Sequence, residues 1–104
     1  YPGLPSHPGH AVAKRQTEGG YGGMLSVVTT GTERTAIDTI RACEVFYPAT
    51  SLGGVESLVE HRKTVSGDGF PVHPRLLRLS IGIEDVTDLI ADFEQALERA
   101  VMGG

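Results

Sequence analysis

Apolar side chains recur at every second residue in one segment of this chain and at every third or fourth residue in others. Branched and aromatic residues predict strands over residues 24–30, 44–47, 55–61 and 76–83, and the last of these also alternates with period two. A short helix is predicted over residues 11–16, because Pro8 suits a first helical turn, and helical spacing predicts longer helices over 32–43 and 85–103.

The clearest strand, residues 76–83, divides its side chains between two faces. Its odd-numbered residues are all apolar, and the even-numbered set includes one cation, Arg78. Successive strand residues point to opposite sides of a sheet, so Arg78 is predicted to lie off the apolar face.

The last helix carries an apolar stripe that can cover such a face. Asp85 is the predicted N-cap and Asp88 lies in the first turn, where a carboxylate suits the helix dipole. The stripe comprises Val86, Leu89, Ile90, Phe93, Ala96, Leu97, Ala100 and Val101, with Asp92, Glu94, Glu98 and Arg99 off it.

The order of these elements predicts an α+β fold. We expect a small antiparallel-type sheet of about four strands with the helices packed on one face. Residues 63–75 hold several glycines and prolines, so they predict a loop. The chain is predicted to be one domain, with residues 1–22 as a lead-in with a short helix and residues 23–104 as the α+β core.

Composition narrows the class of protein. The 104 residues carry nine Lys plus Arg against thirteen Asp plus Glu, a formal charge of −4, which argues against a nucleic-acid partner. No apolar run is long enough to span a membrane. The single cysteine, Cys43, excludes an internal disulfide and favours a reducing, cytoplasmic location.

Few side chains suggest chemistry when taken alone. Arg78 in mid-strand could bind a carboxylate or phosphate, or could form an exposed ion pair. Residues 51–57 could form a binding loop or a plain turn. The histidines lack ligand spacing, so no metal site is predicted. Cys43 fits a small core hydrophobe better than a nucleophile, and the chain contains no complete catalytic machinery.

Several strings together resemble the C-terminal part of the pyridoxal-phosphate-dependent Cys/Met metabolism, or trans-sulfuration, enzymes. These strings are YPGLPSHPGHAVAKRQ, GGYGGMLS, SLGGVESLVEHR and LLRLSIGIEDVTDLIADFEQAL. The family includes cystathionine γ-synthases, cystathionine γ- and β-lyases and methionine γ-lyases. The resemblance implies a domain of a fold-type-I enzyme that acts on sulfur amino acids or activated homoserine.

The resemblance also implies roles for individual residues. The arginine of the family's RLS motif binds the substrate's α-carboxylate, and here it is Arg78. Ser51 opens the SLGG motif at the substrate, and Thr50 occupies a specificity position where several relatives have glutamate. Neither Lys14 nor Lys63 matches the context of the cofactor lysine, so the pyridoxal 5'-phosphate attachment site is expected outside this chain and the chain alone is expected to be inactive.

Two other hypotheses stay open at this point. The chain could be a non-catalytic α+β module that binds a metabolite or a protein partner, or a purely structural domain. For the full-length enzyme, the resemblance implies an amino-acid substrate and a homo-oligomer, a tetramer in the family.

Overall fold

The computed structural model describes residues 1–50, 53–66 and 71–103. The elements follow one another as α1 (His10–Gln16), β1 (Met24–Val28), α2 (Glu33–Ala42), β2 (Tyr47–Pro48), β3 (Leu58–His61), α3 (Arg62–Ser66), β4 (Leu76–Ser80) and α4 (Val86–Gly103). The predicted α+β class with four strands is confirmed. The five-residue helix α3 lies where a loop was predicted, because no apolar period marks so short an element.

The four strands form one mixed sheet in the order β1-β4-β3-β2. Strand β4 pairs antiparallel with both β1 and β3, whereas β2 pairs parallel with β3. The expectation of an antiparallel-type sheet is therefore wrong for one pair. Pro48 is tolerated in β2 because this strand lies at the sheet edge, where the N–H that proline lacks is not needed.

Helix α2 begins at the predicted cap. The backbone N–H of Thr35 donates to the Thr32 hydroxyl at 3.2 Å, and the Thr35 hydroxyl accepts from the Thr32 N–H in return. This reciprocal pair satisfies two of the amide groups that a helix start leaves unbonded. The helix that begins at this cap buries Ala36 and Thr39.

The core lies between one sheet face and the helices α2 and α4. Its buried members are Ala36, Phe46, Val59, Leu77, Leu79 and Leu89. Leu77 and Leu79 belong to the predicted apolar side of β4, and Ala36 and Leu89 come from the two helices. The sheet side that carries Arg78 is consequently the side away from this core.

The predicted stripe of α4 is only partly buried. Leu89, Ala96 and Ala100 are buried, whereas Val86, Ile90 and Val101 are more than half exposed. Helical spacing alone does not reveal how wide a face the rest of the fold covers.

Asp92, predicted to lie off the stripe, is buried instead. Its carboxylate accepts the backbone N–H groups of Glu44, Val45 and Phe46 at 2.7, 2.8 and 2.9 Å. Burial by itself raises the pKa of Asp92, but these backbone hydrogen bonds and one from Gln95 outweigh it, so the pKa is lowered. Asp92 thus joins α4 to the segment after α2.

Strand ends also differ from the prediction. Strand β4 stops at Ser80 rather than at residue 83, because the Gly82 N–H donates to the Ser57 hydroxyl instead of to a backbone carbonyl. One backbone hydrogen bond, from the Ile83 N–H to the Val55 carbonyl, lies beyond this break. Strand β3 begins at Leu58 rather than at residue 55.

Candidate functional site

Arg78 lies in the middle of β4, with a strand on either side. Its register partners are Ser26 in β1 and Glu60 in β3. The side chain is 23% exposed and points away from the core, as predicted. Arg78 is therefore half-buried on the outer face of the sheet and is not a surface arginine.

Glu60 holds one edge of the Arg78 guanidinium. The Arg78 Nε and the Glu60 Oε1 lie 2.5 Å apart, and the Arg62 Nη1 contacts the same oxygen at 3.1 Å. The Glu60 side chain is 3% exposed. One buried carboxylate thus forms ion pairs with two guanidinium groups.

Neither Glu60 nor Arg62 was singled out from the sequence. Alternation along β3 contained the signal, since Val59 is in the core and its neighbour Glu60 must face the other way. A carboxylate at that position on a neighbouring strand can reach an arginine across the pair. The strand pairing was needed to recognise the contact.

The structure brings Thr50 to Arg78, but through its backbone. The Arg78 Nη2 donates to the Thr50 carbonyl oxygen at 2.7 Å, and the Thr50 residue is exposed. Ser51, the other predicted substrate residue, lies outside the described residues.

Arg78 opens onto a cleft of about 270 Å³ on the outer face of the sheet. The rest of the lining comes from β1 and from the lead-in before α1, and consists of Tyr1, Pro2, His7, Met24, Leu25 and Ser26. Neither Lys14 nor Lys63 is among the lining residues. The cleft is large enough for a small amino acid, and Arg78 is its permanently charged group.

The turn around residues 53–57 is joined to the strand that carries Arg78. The Gly53 N–H donates to the Ser80 hydroxyl at 3.1 Å, and the Gly82 N–H donates to the Ser57 hydroxyl at 2.8 Å. Gly82 cannot carry a side chain here, because a Cβ would lie 2.2 Å from the Val55 carbonyl oxygen. Residues 53–57 therefore pack directly against residues 80–82.

Glu84 adds further hydrogen bonds between residues 53–57 and the residues after β4. Its carboxylate accepts from the backbone N–H of Ser57 at 3.0 Å and from the Ser57 hydroxyl at 2.7 Å. These two hydrogen bonds, the backbone one first, lower the pKa of Glu84. The segment that leads from Thr50 is thus attached to β4 and to the residues after it.

Other candidate side chains lie elsewhere. Cys43 packs against the core, and burial together with the charge of Asp92 raises the pKa of its thiol to about 12. His61 is buried, with its ring nitrogens 2.5 Å from the Thr64 hydroxyl and the Pro74 carbonyl oxygen. Among the described residues, no three His, Cys, Asp or Glu side chains converge as metal ligands would, and no helix is long and apolar enough to cross a membrane.

The sequence of this chain is similar to one family of known proteins. A model of a protein family described as Cys/Met metabolism PLP-dependent enzyme matches residues 1–98. The cystathionine gamma-synthase of Mycobacterium tuberculosis is 51% identical over 102 residues, which cover 93% of this chain and 26% of that protein. The cystathionine gamma-lyase of Dictyostelium discoideum is 43% identical over 107 residues, covering 95% of this chain and 27% of that protein. The chain thus spans about a quarter of the length of the curated relatives that it matches.

Solved structures resemble the chain in the same way. Two structures of cystathionine gamma synthase from Xanthomonas oryzae pv. oryzae are each 39% identical to it and match 98% of this chain and 28% of theirs. The one in complex with aminoacrylate and cysteine has a TM-score of 0.88, and the one in complex with cystathionine has a TM-score of 0.87.

Proposed function

This chain belongs to the family of Cys/Met metabolism PLP-dependent enzymes, and from that membership we propose that it is the carboxylate-binding domain of a trans-sulfuration enzyme. Its substrate is a sulfur amino acid or an activated homoserine, and Arg78 binds the α-carboxylate. The observation that carries this proposal is the half-buried Arg78, held at one edge by Glu60 and open to a cleft.

The charge balance around Arg78 supports an anionic ligand. Two guanidinium groups, those of Arg78 and Arg62, share the single carboxylate of Glu60. This cluster keeps one surplus positive charge on a half-buried surface, where a second carboxylate is stabilised more than it would be in water. An amino-acid substrate supplies that carboxylate.

The orientation of the guanidinium supports the same reading. Glu60 contacts the Arg78 Nε, and the Thr50 carbonyl accepts from Nη2, so the protein holds the edge formed by these two nitrogens. The end formed by Nη1 and Nη2 is then the part that meets a ligand carboxylate in a bidentate pair. Such a pair fixes the substrate's Cα relative to the reacting groups.

The residues before the SLGG turn fit a role in specificity. Thr50 is exposed beside Arg78, and the turn that follows is hydrogen-bonded to Ser80. We assign the Thr50 side chain to the discrimination of the substrate's far end and Ser51 to contact with the substrate, both following the family motif.

We place the lysine that carries pyridoxal phosphate outside this chain. Lys14 lies exposed on α1, Lys63 lies on α3, and neither lines the cleft of Arg78. When bound, the cofactor supplies an electron sink for carbanions, and the part of this chain is to hold the substrate by its carboxylate. We accordingly expect no turnover from the 104-residue chain by itself, and we assign the complete enzyme to the cytoplasm as a homo-oligomer.

Replacement of Arg78 by lysine in the full-length enzyme tests the proposal. Lysine keeps the charge but cannot form the bidentate pair, so KM for the amino acid should rise by about 30-fold, the range expected for losing a hydrogen bond to a charged group. The cofactor absorbance should stay unchanged. An unchanged KM would remove Arg78 from the site.

A further inference from the structure

Glu60 is an unusual residue for the outer face of a small sheet. Its side chain is 3% exposed, and yet it is an acid. Burial of an isolated carboxylate is costly, and a buried ion pair adds little stability over apolar residues of similar volume. Its presence therefore calls for a reason other than stability.

The contacts of Glu60 indicate what that reason is. Oε1 receives both the Arg78 Nε and the Arg62 Nη1, and within the described part of the chain Oε2 has no hydrogen-bond partner. Both ion pairs of Glu60 in that part are thus formed with arginines, and the hydrogen bond it accepts comes from Arg62. The shorter contact, 2.5 Å, is the one to Arg78.

Glu60 is held within the sheet by strand pairing and by burial. It lies directly opposite Arg78 in the antiparallel pair of β3 and β4, and its neighbours Val59 and His61 are buried on the other face. A group fixed in this way removes rotamer freedom from Arg78 before any ligand binds, which improves affinity by lowering the entropy lost on binding.

We infer that Glu60 is a positioning residue that sets the orientation of Arg78 for the substrate carboxylate. The inference rests on the proposed function, because it needs Arg78 to be the carboxylate-binding group. Glu60 touches no substrate in this arrangement; it fixes the Nε edge of the guanidinium and leaves the Nη1 and Nη2 end aligned for the ligand. Its influence should therefore extend only to ligands that carry the carboxylate.

A pair of inhibitors separates this role from a structural one. L-norvaline and butylamine differ only by the carboxylate, and their inhibition constants can be measured on the full-length enzyme. Glu60→Gln keeps an acceptor and the shape of the side chain but removes the charge. We expect the inhibition constant of L-norvaline to rise about tenfold and that of butylamine to change less than twofold.

Glu44→Gln is the matched control. It makes the same chemical change in a Glu–Arg pair, with the Arg99 Nη1 3.2 Å from the Glu44 Oε1, but there the Glu44 side chain is 66% exposed. Neither inhibition constant should move with this control, because an exposed pair contributes little. If Glu60→Gln does not yield folded enzyme, Glu60→Asp keeps the charge and should raise the L-norvaline constant by a smaller factor, about threefold.

Arg78→Lys in the same assay distinguishes the possible failures. If it raises the L-norvaline constant while Glu60→Gln does not, or if Glu60→Gln shifts both inhibitors equally, the positioning role of Glu60 is wrong and the proposed function stands. If Arg78→Lys leaves the L-norvaline constant unchanged, the proposed function itself fails. When both single variants raise the L-norvaline inhibition constant, the constant of the double variant should be less than twofold higher than that of Arg78→Lys alone, because the two residues act as one unit.

Discussion

Asp92 should be the polar residue on which the stability of the chain depends most. Its carboxylate accepts three consecutive backbone N–H groups at 2.7–2.9 Å. In an Asp92→Ala variant, water can replace the carboxylate at the exposed residues Glu44 and Val45, but not at the buried residue Phe46. A buried N–H without a partner costs about 1–3 kcal/mol, and the two exposed bonds add about 0.5–1 kcal/mol each.

The expected loss in the free energy of unfolding is therefore about 3 kcal/mol, after an offset of about 0.6 kcal/mol for the better helix propensity of alanine. Urea unfolding of the chain, followed by far-ultraviolet circular dichroism, measures it. Asp92→Asn keeps one oxygen acceptor and should lose about half as much. Glu94→Ala, at an exposed position on the same helix, should stay within about 0.5 kcal/mol of the parent.

The same residue predicts a dependence on pH. The pKa of Asp92 is lower in the folded chain than its value of 3.8 in a model compound, so the folded state favours the ionised form. The stabilisation is fully present above the unfolded pKa and is lost as the pH falls through the folded pKa. The difference in the free energy of unfolding between the parent and Asp92→Asn should be largest at neutral pH and should disappear in acid. A loss below about 1 kcal/mol for Asp92→Ala, or a gap that widens in acid, would refute this reasoning.

Two further predictions concern Gly82 and Cys43. Gly82→Ala should lower the free energy of unfolding by more than about 2 kcal/mol, because the new Cβ would lie 2.2 Å from a backbone oxygen. Gly54→Ala, where nothing lies within 4 Å, is the control in the same urea titration. Equal effects of the two variants would contradict the close approach of Gly82 to residues 55–57. The Cys43 thiol, with its pKa raised to about 12, should react with iodoacetamide at pH 8 at least about a hundredfold more slowly than a free cysteine; a rate equal to that of free cysteine would show that the thiol is neither buried nor repelled by Asp92.

Residue type and periodicity predicted the helices α1, α2 and α4 and the strands β1, β3 and β4, whereas β2 overlaps its predicted range, residues 44–47, at Tyr47 only. The capping residues Thr32 and Asp85 were predicted correctly, since Thr32 accepts from Thr35 and Asp85 accepts the Thr87 N–H at 2.8 Å. Local hydrogen bonds of this kind depend on residues two or three positions apart. They can therefore be predicted without knowing how the strands pair.

Long-range hydrogen bonds account for what the sequence did not reveal. Asp92 is buried because residues 44–46 approach it from far along the chain, and β4 ends early because Gly82 turns toward Ser57. The orientation of Arg78 followed from the alternation of β4, whereas its partner Glu60 became evident only once β3 was paired with β4. The parallel pairing of β2 and β3 likewise depends on the path of the whole chain.

The central claim is that Arg78 binds the substrate's carboxylate, and a crystal structure of the full-length enzyme with L-cystathionine tests it most directly. We predict one α-carboxylate of the ligand within about 3 Å of the Arg78 Nη1 and Nη2, with the Arg78 Nε still on Glu60. A ligand whose carboxylates all lie on other residues, with Arg78 in contact only with the protein, would contradict the account.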